Sequence, residues 1–371
     1  MNFCSDNVTG ACPAVLEAVC RHNDGAAMPY GEDPLTRDVC ARIADLFETE
    51  ATVFPVATGT AANALALSVV CPPYGAVYCH RDSHIYTDEC GAPELFSGGA
   101  KLVPLDGADA KISAETLEQA LAAGWRGVVH HVQPAAVSIT QASECGTLYS
   151  PEEIAAIAAV CRRHDLVLHM DGARFANAVA AGEATPAALT WQTGVDILSF
   201  GATKNGAMAA EAVVFFKPDL VRHFALHRKR GGHLFSKMRF ITAQLDGYLQ
   251  DNTWLNNARH ANSMAANLTE GLERIPGVRV IHPVQANEIF VVLPEAVSTG
   301  LRQAGFAFYP WAAGGPGCHR LVTAWNTLEK DVDGFISCAL QYAEAAWPCG
   351  QNPLSFNNLP APRRSGFTKV K

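Results

Sequence analysis

Residues 195–206 read VDILSFGATKNG: an apolar run at 196–200, of a length that suits a buried strand, leads into a loop that carries Lys204. A second apolar strand follows at 211–216, EAVVFF. Lysine is seldom buried. Held between two buried strands, its ammonium either meets an anion or gives up its proton and becomes a nucleophile. An isolated lysine on a solvated turn would look the same, so the neighbouring residues decide.

Upstream, residues 166–175 read LVLHMDGARF, another apolar strand, which ends in Asp171. Ligands of open α/β sheets bind outside the carboxyl ends of the strands, where this carboxylate falls. Pyridoxal 5'-phosphate needs a lysine for its Schiff base and an acid against its pyridinium nitrogen. Asp171 and Lys204, in this order and with one helix and one strand between them, supply that pair.

The rest of the chain sets bounds. Its 371 residues, 49% apolar and 17% charged, suffice for one large and one small domain. A net charge of −8 argues against nucleic acid or an anionic membrane as partner. The twelve cysteines are scattered singly, without C-x-x-C, which speaks against a metal site and for free thiols in a reducing compartment. The start, MNFCSDN, has no basic segment and no apolar core, so no secretory signal is expected and the location is expected to be cytoplasmic. The uncharged stretch 51–79 is broken by Pro55, Gly59, Pro72, Pro73 and Gly75, which suits a strand–loop–helix unit and not a membrane span.

In order, residues 1–30 form an N-terminal arm with a short helix at 13–22. A helix starts at Asp33-Pro34, aspartate as cap and proline in the first turn. Strands are expected at 52–57, from 77, and at 101–104, 127–132 and 166–170. The intervening helices fall at 61–70, 87–96, 113–122 and 150–164. This alternation predicts an α/β large domain, 31–250, around a mostly parallel sheet covered on both faces. A small α+β domain at 251–348 follows, with strands near 278–282, 288–293 and 319–324 and a last helix from 328 to 347. Residues 349–371 are expected to be a loosely ordered tail.

Other residues gather around the pair. TGTAANALAL (58–67) sets Gly59 and Thr60 at a helix start, where free N–H groups cradle a phosphate. His84, after the second strand, is placed to stack on a cofactor ring and to act as a base, with His80 nearer the strand. Arg174 and Arg320 are candidate partners for a substrate carboxylate. The run HRKRGG (227–232) is either a solvated helix end or a phosphate contact across a subunit interface.

SDNVTG (5–10), PYGEDPLT (29–36), TGTAANALAL, SHIYTDE (83–89), LHMDGARFANA (168–178), SFGATKNGAMAAEAVVFF (199–216) and RLVTAWNT (320–327) together resemble the threonine aldolase family among the fold-type-I pyridoxal-phosphate enzymes. The resemblance implies an aspartate-aminotransferase-like fold with a seven-stranded sheet. It implies that Lys204 carries the cofactor, Asp171 pairs with the pyridinium nitrogen, His84 stacks on the ring, and Gly59 and Thr60 hold the phosphate. Arg174 would contact the cofactor's phenolic oxygen or the substrate, and Ser5 and Arg320 the substrate carboxylate. Tyr30 and Arg228 or Lys229 would reach in from a neighbouring subunit of a homodimer or homotetramer.

Two departures bear on the substrate. The family's histidine facing the substrate hydroxyl aligns here with Ser143, within one residue, and the histidine of its R-L-V-T-H strand is Ala324. The implied reaction is retro-aldol cleavage of an L-β-hydroxy-α-amino acid (threonine, allo-threonine or phenylserine type) to glycine and an aldehyde, with His84, directly or through water, as the base. Ser143 predicts a relaxed site that accepts bulky substituents. The alternatives are a phenylserine-selective aldolase, a β-eliminating lyase or hydroxymethyl transferase on the same scaffold, and a non-catalytic cofactor-sensing module.

Overall fold

The computed structural model describes residues 1–122, 126–182 and 184–346. Seven strands, β1 (Thr52–Val56), β2 (Gly75–His80), β3 (Lys101–Leu105), β4 (Gln133–Thr140), β5 (Val167–Gly172), β6 (Ile197–Gly201) and β7 (Glu211–Phe215), form one sheet. Its order is β1-β7-β6-β5-β4-β2-β3. β7 runs antiparallel to both of its neighbours, and all other pairs are parallel. β2, β6 and β7 are buried at every position, as strands covered on both faces must be, which is why their sequences read as continuous apolar runs.

The helices of this part are α1 (Pro13–Arg21), α2 (Pro34–Leu46), α3 (Gly59–Val70), α4 (His84–Thr87), α5 (Ala92–Ser97), α6 (Ala114–Ala122), α7 (Pro151–Arg163), α8 (Phe175–Ala181), α9 (Phe224–Arg230), α10 (Arg239–Leu249) and α11 (Thr253–Glu273). α2 starts where expected: the Asp33 carboxylate accepts from the Thr36 N–H at 2.8 Å. α7 opens with a reciprocal capping box between Ser150 and Glu153. α3 is buried on nearly every side, which its composition of Ala, Leu and Val allows.

A second, antiparallel sheet has the order β10-β11-β9-β8, from β8 (Arg279–Val280), β9 (Glu288–Val292), β10 (Tyr309–Pro310) and β11 (Cys318–Val322). Helices α12 (Glu295–Gln303) and α13 (Glu329–Ala346) cover it together with α11. The chain's first residues are stitched to this unit. The Phe3 N–H donates to the Ala307 carbonyl at 2.8 Å and its own carbonyl accepts from Val322 at 2.9 Å, while the ring packs edge-on against Phe335. Among the described residues no helix is long and apolar enough to cross a membrane.

Several boundaries differ from expectation. The strand expected at 127–132 lies at Gln133–Thr140. Gly127 takes a left-handed φ of 78°, and the Gln133 side chain bonds to Gly127, Val128 and His131, which folds those residues into a loop. The helix expected at 87–96 is two short ones, separated by Gly91 at φ 75°. β10 and α12 were not foreseen, the first because two residues carry no periodicity. Trp347 and the tail expected at 349–371 lie outside the described residues.

Candidate active site

Lys204 sits on a single 3-10 turn, Thr203–Asn205, directly after β6. The turn is fixed from three sides. The Glu211 carboxylate accepts from the Ala202 N–H at 3.0 Å, the Asn205 amide donates to Tyr248 Oη and the Trp254 carbonyl, both at 2.8 Å, and Asn257 donates to the Asn205 carbonyl at 2.9 Å. β5 and β6 approach closely just before it: a Cβ on Gly201 would lie 2.5 Å from the Ala173 carbonyl oxygen. Burial pushes the Glu211 carboxyl up to about 7. The lysine is half-buried and lines two adjoining cavities, of about 350 and 680 Å³.

Asp171 ends β5 in the wall of the smaller cavity. Its Oδ1 accepts from the Ala173 N–H at 3.0 Å and its Oδ2 from Asn63 Nδ2 at 2.8 Å. Asn63, buried on α3, donates at 2.9 Å to Glu89 Oε1 as well, and that oxygen also meets His84 Nδ1 at 2.9 Å. A polar chain therefore runs Asp171–Asn63–Glu89–His84. The hydrogen bond to Glu89 raises the His84 imidazole above its ordinary value, against the opposing effect of burial. Asn63 and Glu89 both fall within motifs quoted above, yet nothing local in the sequence says that they meet.

Gly59 and Thr60 open α3 on the same cavity. Thr58 caps the Ala61 N–H, and apart from its chain neighbours and its own helix backbone no atom lies within 4 Å of a Cβ built on Gly59. Arg174 lines both cavities and is held by two buried carboxylates. Its Nε and Nη2 donate to Asp6 at 2.8 and 3.1 Å, and its Nη1 lies 3.0 Å from Glu288 Oε2. Burial would raise the Asp6 carboxyl, but Arg174 and Lys204 hold it below its usual value. Ser5 and Arg320 line the larger cavity with Tyr309 and Trp311. The Arg320 guanidinium stacks 5.6 Å from the Trp311 ring, and its Nε is buried with no partner among the described residues.

Ser143 is not where it was expected. It is wholly buried, its hydroxyl donating to the Asp109 carbonyl at 2.9 Å and pairing with Thr147 Oγ1 at 2.8 Å. Its neighbour Glu144 lines both cavities instead. A serine hydroxyl in a buried turn is satisfied by a nearby carbonyl, which fixes the turn and points the next side chain into the site. Ala324 is buried and lines neither cavity. Tyr30 and Lys229 pack together on the surface, the ammonium 4.7 Å from the ring, and they too line neither cavity. Arg228 is buried over Phe54 and donates to Met238 Sδ at 3.3 Å.

A lysine turn, a strand-end carboxylate and a helix start around one cleft define the fold-type-I class of pyridoxal-phosphate enzymes. An aspartate aminotransferase from Rhodobacter sphaeroides, 17% identical, shares this fold with a TM-score of 0.66 over 93% of this chain and 92% of its own. The chain belongs to the β-eliminating lyase family, whose model matches residues 2–296, and within it to the threonine aldolases. It is 43% identical over 330 residues to a low specificity L-threonine aldolase from Pseudomonas sp. (strain NCIMB 10558), covering 89% of this chain and 94% of that protein. A threonine aldolase structure from Leishmania major superposes with a TM-score of 0.87 at 30% identity, over 92% of this chain and 99% of that one.

Proposed function

We propose that this chain binds pyridoxal 5'-phosphate and cleaves L-β-hydroxy-α-amino acids of the threonine, allo-threonine or phenylserine type to glycine and an aldehyde. The observation that carries this is the placement of Lys204, Asp171 and the start of α3 around one cavity that opens towards Arg320. The residues fit the cofactor by their chemistry. An amine on a fixed turn can bear it, a carboxylate oriented by two donors can keep its ring nitrogen protonated, and the uncrowded start at Gly59 and Thr60 can take its phosphate. When bound, it supplies an electron sink for the pair released from a broken bond at Cα.

The chain's own residues do the rest. Lys204 would hold the cofactor. His84, kept in place by Glu89, would lie against it. Arg320, with an unpaired buried donor, grips the substrate carboxylate, and Ser5 lies in the same wall. Holding the carboxylate would fix which bond at Cα is presented for cleavage. Arg174, already shared by Asp6 and Glu288, orients this wall and would contact the cofactor's phenolic oxygen or the substrate. Tyr30 and Lys229 are assigned to a neighbouring subunit's site in a homodimer or homotetramer, which their surface position apart from this chain's cavities favours. Free thiols at Cys4, Cys12 and the other described cysteines suit a cytoplasmic location.

The test is to supply L-threonine and L-phenylserine separately to the cofactor-loaded protein and quantify aldehyde and glycine. Equal amounts of both products are expected. Pyruvate and ammonia from L-serine, with no aldehyde from either substrate, would instead establish β-elimination, the reaction that the family's description names.

A further inference from the structure

Cleavage of the Cα–Cβ bond needs a base for the β-hydroxyl proton, and two groups of this cleft compete for the role. His84 is poorly placed to accept a proton: its Nδ1 is committed to Glu89 at 2.9 Å, and that contact favours the protonated ring. Glu144 stands beside His84. It follows β4 at the same sheet edge as Asp171 and Lys204, and it lines both the cofactor-sized cavity and the outer one. Among the described residues its side chain makes one hydrogen bond, accepted by Oε1 from the His84 backbone N–H at 3.1 Å. That bond anchors the carboxyl beside His84, in a wall that the two cavities share.

We infer that Glu144 is the catalytic base for the β-hydroxyl, placed by the turn that buries Ser143. The inference rests on the aldolase function proposed above. In the step it describes, the substrate O–H proton passes to a Glu144 carboxylate oxygen and the O–H pair becomes the carbonyl π bond of the departing aldehyde. The Cα–Cβ bond breaks, and its pair enters the conjugated system of the pyridoxal cofactor. In the reverse direction the protonated carboxyl returns that proton to the new hydroxyl.

The charges around Glu144 suit a group that changes protonation in each cycle. Lys204, His84 and Arg174 face it as cations and Asp171 and Glu288 as anions, with the Cys145 thiol adjacent. Burial is the largest influence and lifts the carboxyl to about 7, where a carboxyl can both accept and return a proton. Cleavage requires the ionised form, so its rate falls on the acid side as Glu144 takes up its proton. Aldol addition of glycine to an aldehyde requires the protonated form, so its rate falls on the alkaline side as that proton is lost.

The experiment compares holoenzyme of the wild type, Glu144→Gln and His84→Asn for cleavage and addition across pH. Spectrophotometric titration with glycine, which has no β-hydroxyl, is run alongside, with infrared titration of the wild-type and Glu144→Gln apoproteins. In Glu144→Gln, cleavage is expected to fall about 10²-fold or more and to lose its acid limb. Glycine should still bind with wild-type affinity. The protonated-carboxyl absorbance that titrates near neutral pH should lose one component in the variant, leaving the contribution of Glu211 common to both proteins. In His84→Asn the acid limb should persist. A Glu144→Gln enzyme with wild-type rate and pH profile, or a His84→Asn enzyme that loses the limb, would overturn the assignment while leaving the aldolase function standing. A wild type that releases neither aldehyde nor glycine would overturn both.

Discussion

His84 Nδ1 lies 2.9 Å from Oε1 of Glu89, so the imidazole is biased towards its charged form by a buried carboxylate that also accepts from Asn63. A carboxylate partner favours the protonated ring, and a neutral amide does not. Glu89→Gln is therefore expected to lower the His84 pKa. Histidine resonances of the apoprotein, followed through a pH titration, measure this directly. An unmoved midpoint would show that Glu89 does not control the ring.

Asp171 is the acceptor for both Asn63 and the Ala173 N–H. Asp171→Ala leaves those donors short of a partner, at about 1–3 kcal/mol. The fold should survive with a melting point lower by a few degrees, while turnover drops at least about 10²-fold, since charge stabilisation in the reaction is lost. Near-normal turnover in a folded variant would mean that the electron sink is built from other residues.

Arg174 neutralises two buried acids, Asp6 and Glu288. Removing it as Arg174→Met strands both and is expected to cost about 3–5 kcal/mol at neutral pH. The pH dependence has a definite sign. In the wild type Asp6 lies below 3.8, so its stabilising contribution is present above 3.8 and is lost only as pH falls through the lower folded value. In the variant the Arg174 contribution is lost from both acids: Asp6 moves upward although Lys204 and the Asn287 amide still act on it, and Glu288, which burial already raises, moves further up, so protonation favours the fold. The stability gap between wild type and variant should therefore narrow on acidification to about pH 5. Urea unfolding of both proteins at two pH values checks this, and a gap that widens would contradict it.

His169, two residues before Asp171 on β5, is fully buried between Ser138 and Ser199, at 2.9 and 3.0 Å. Burial lowers its imidazole to about 4, so it stays neutral in the fold. An unfolded chain protonates it near 6.5, so its contribution to stability is complete above 6.5 and fades as pH falls from there to about 4. Its ring resonance should not shift between about pH 8 and 5. A midpoint near 6.5 would show that the histidine is exposed to solvent.

The sequence by itself determined the architecture and the principal pair. Apolar runs, caps such as Asp33 and Ser150, and the alternation of helix and strand are local properties, readable from neighbouring residues. The order of Asp171 and Lys204 at successive strand ends was enough to bring them to one edge of the sheet, because β5 and β6 run parallel side by side. The tertiary structure alone decided what surrounds them. Asp6 meets Arg174 across 168 residues and Asn63 meets Asp171 across 108, separations at which no periodicity operates. The choice between Ser143 and Glu144 also had to await the fold. Past the end of β4 the strand's alternation no longer fixes side-chain direction, and it was the burial of one hydroxyl against the Asp109 carbonyl that turned the next carboxyl towards the site.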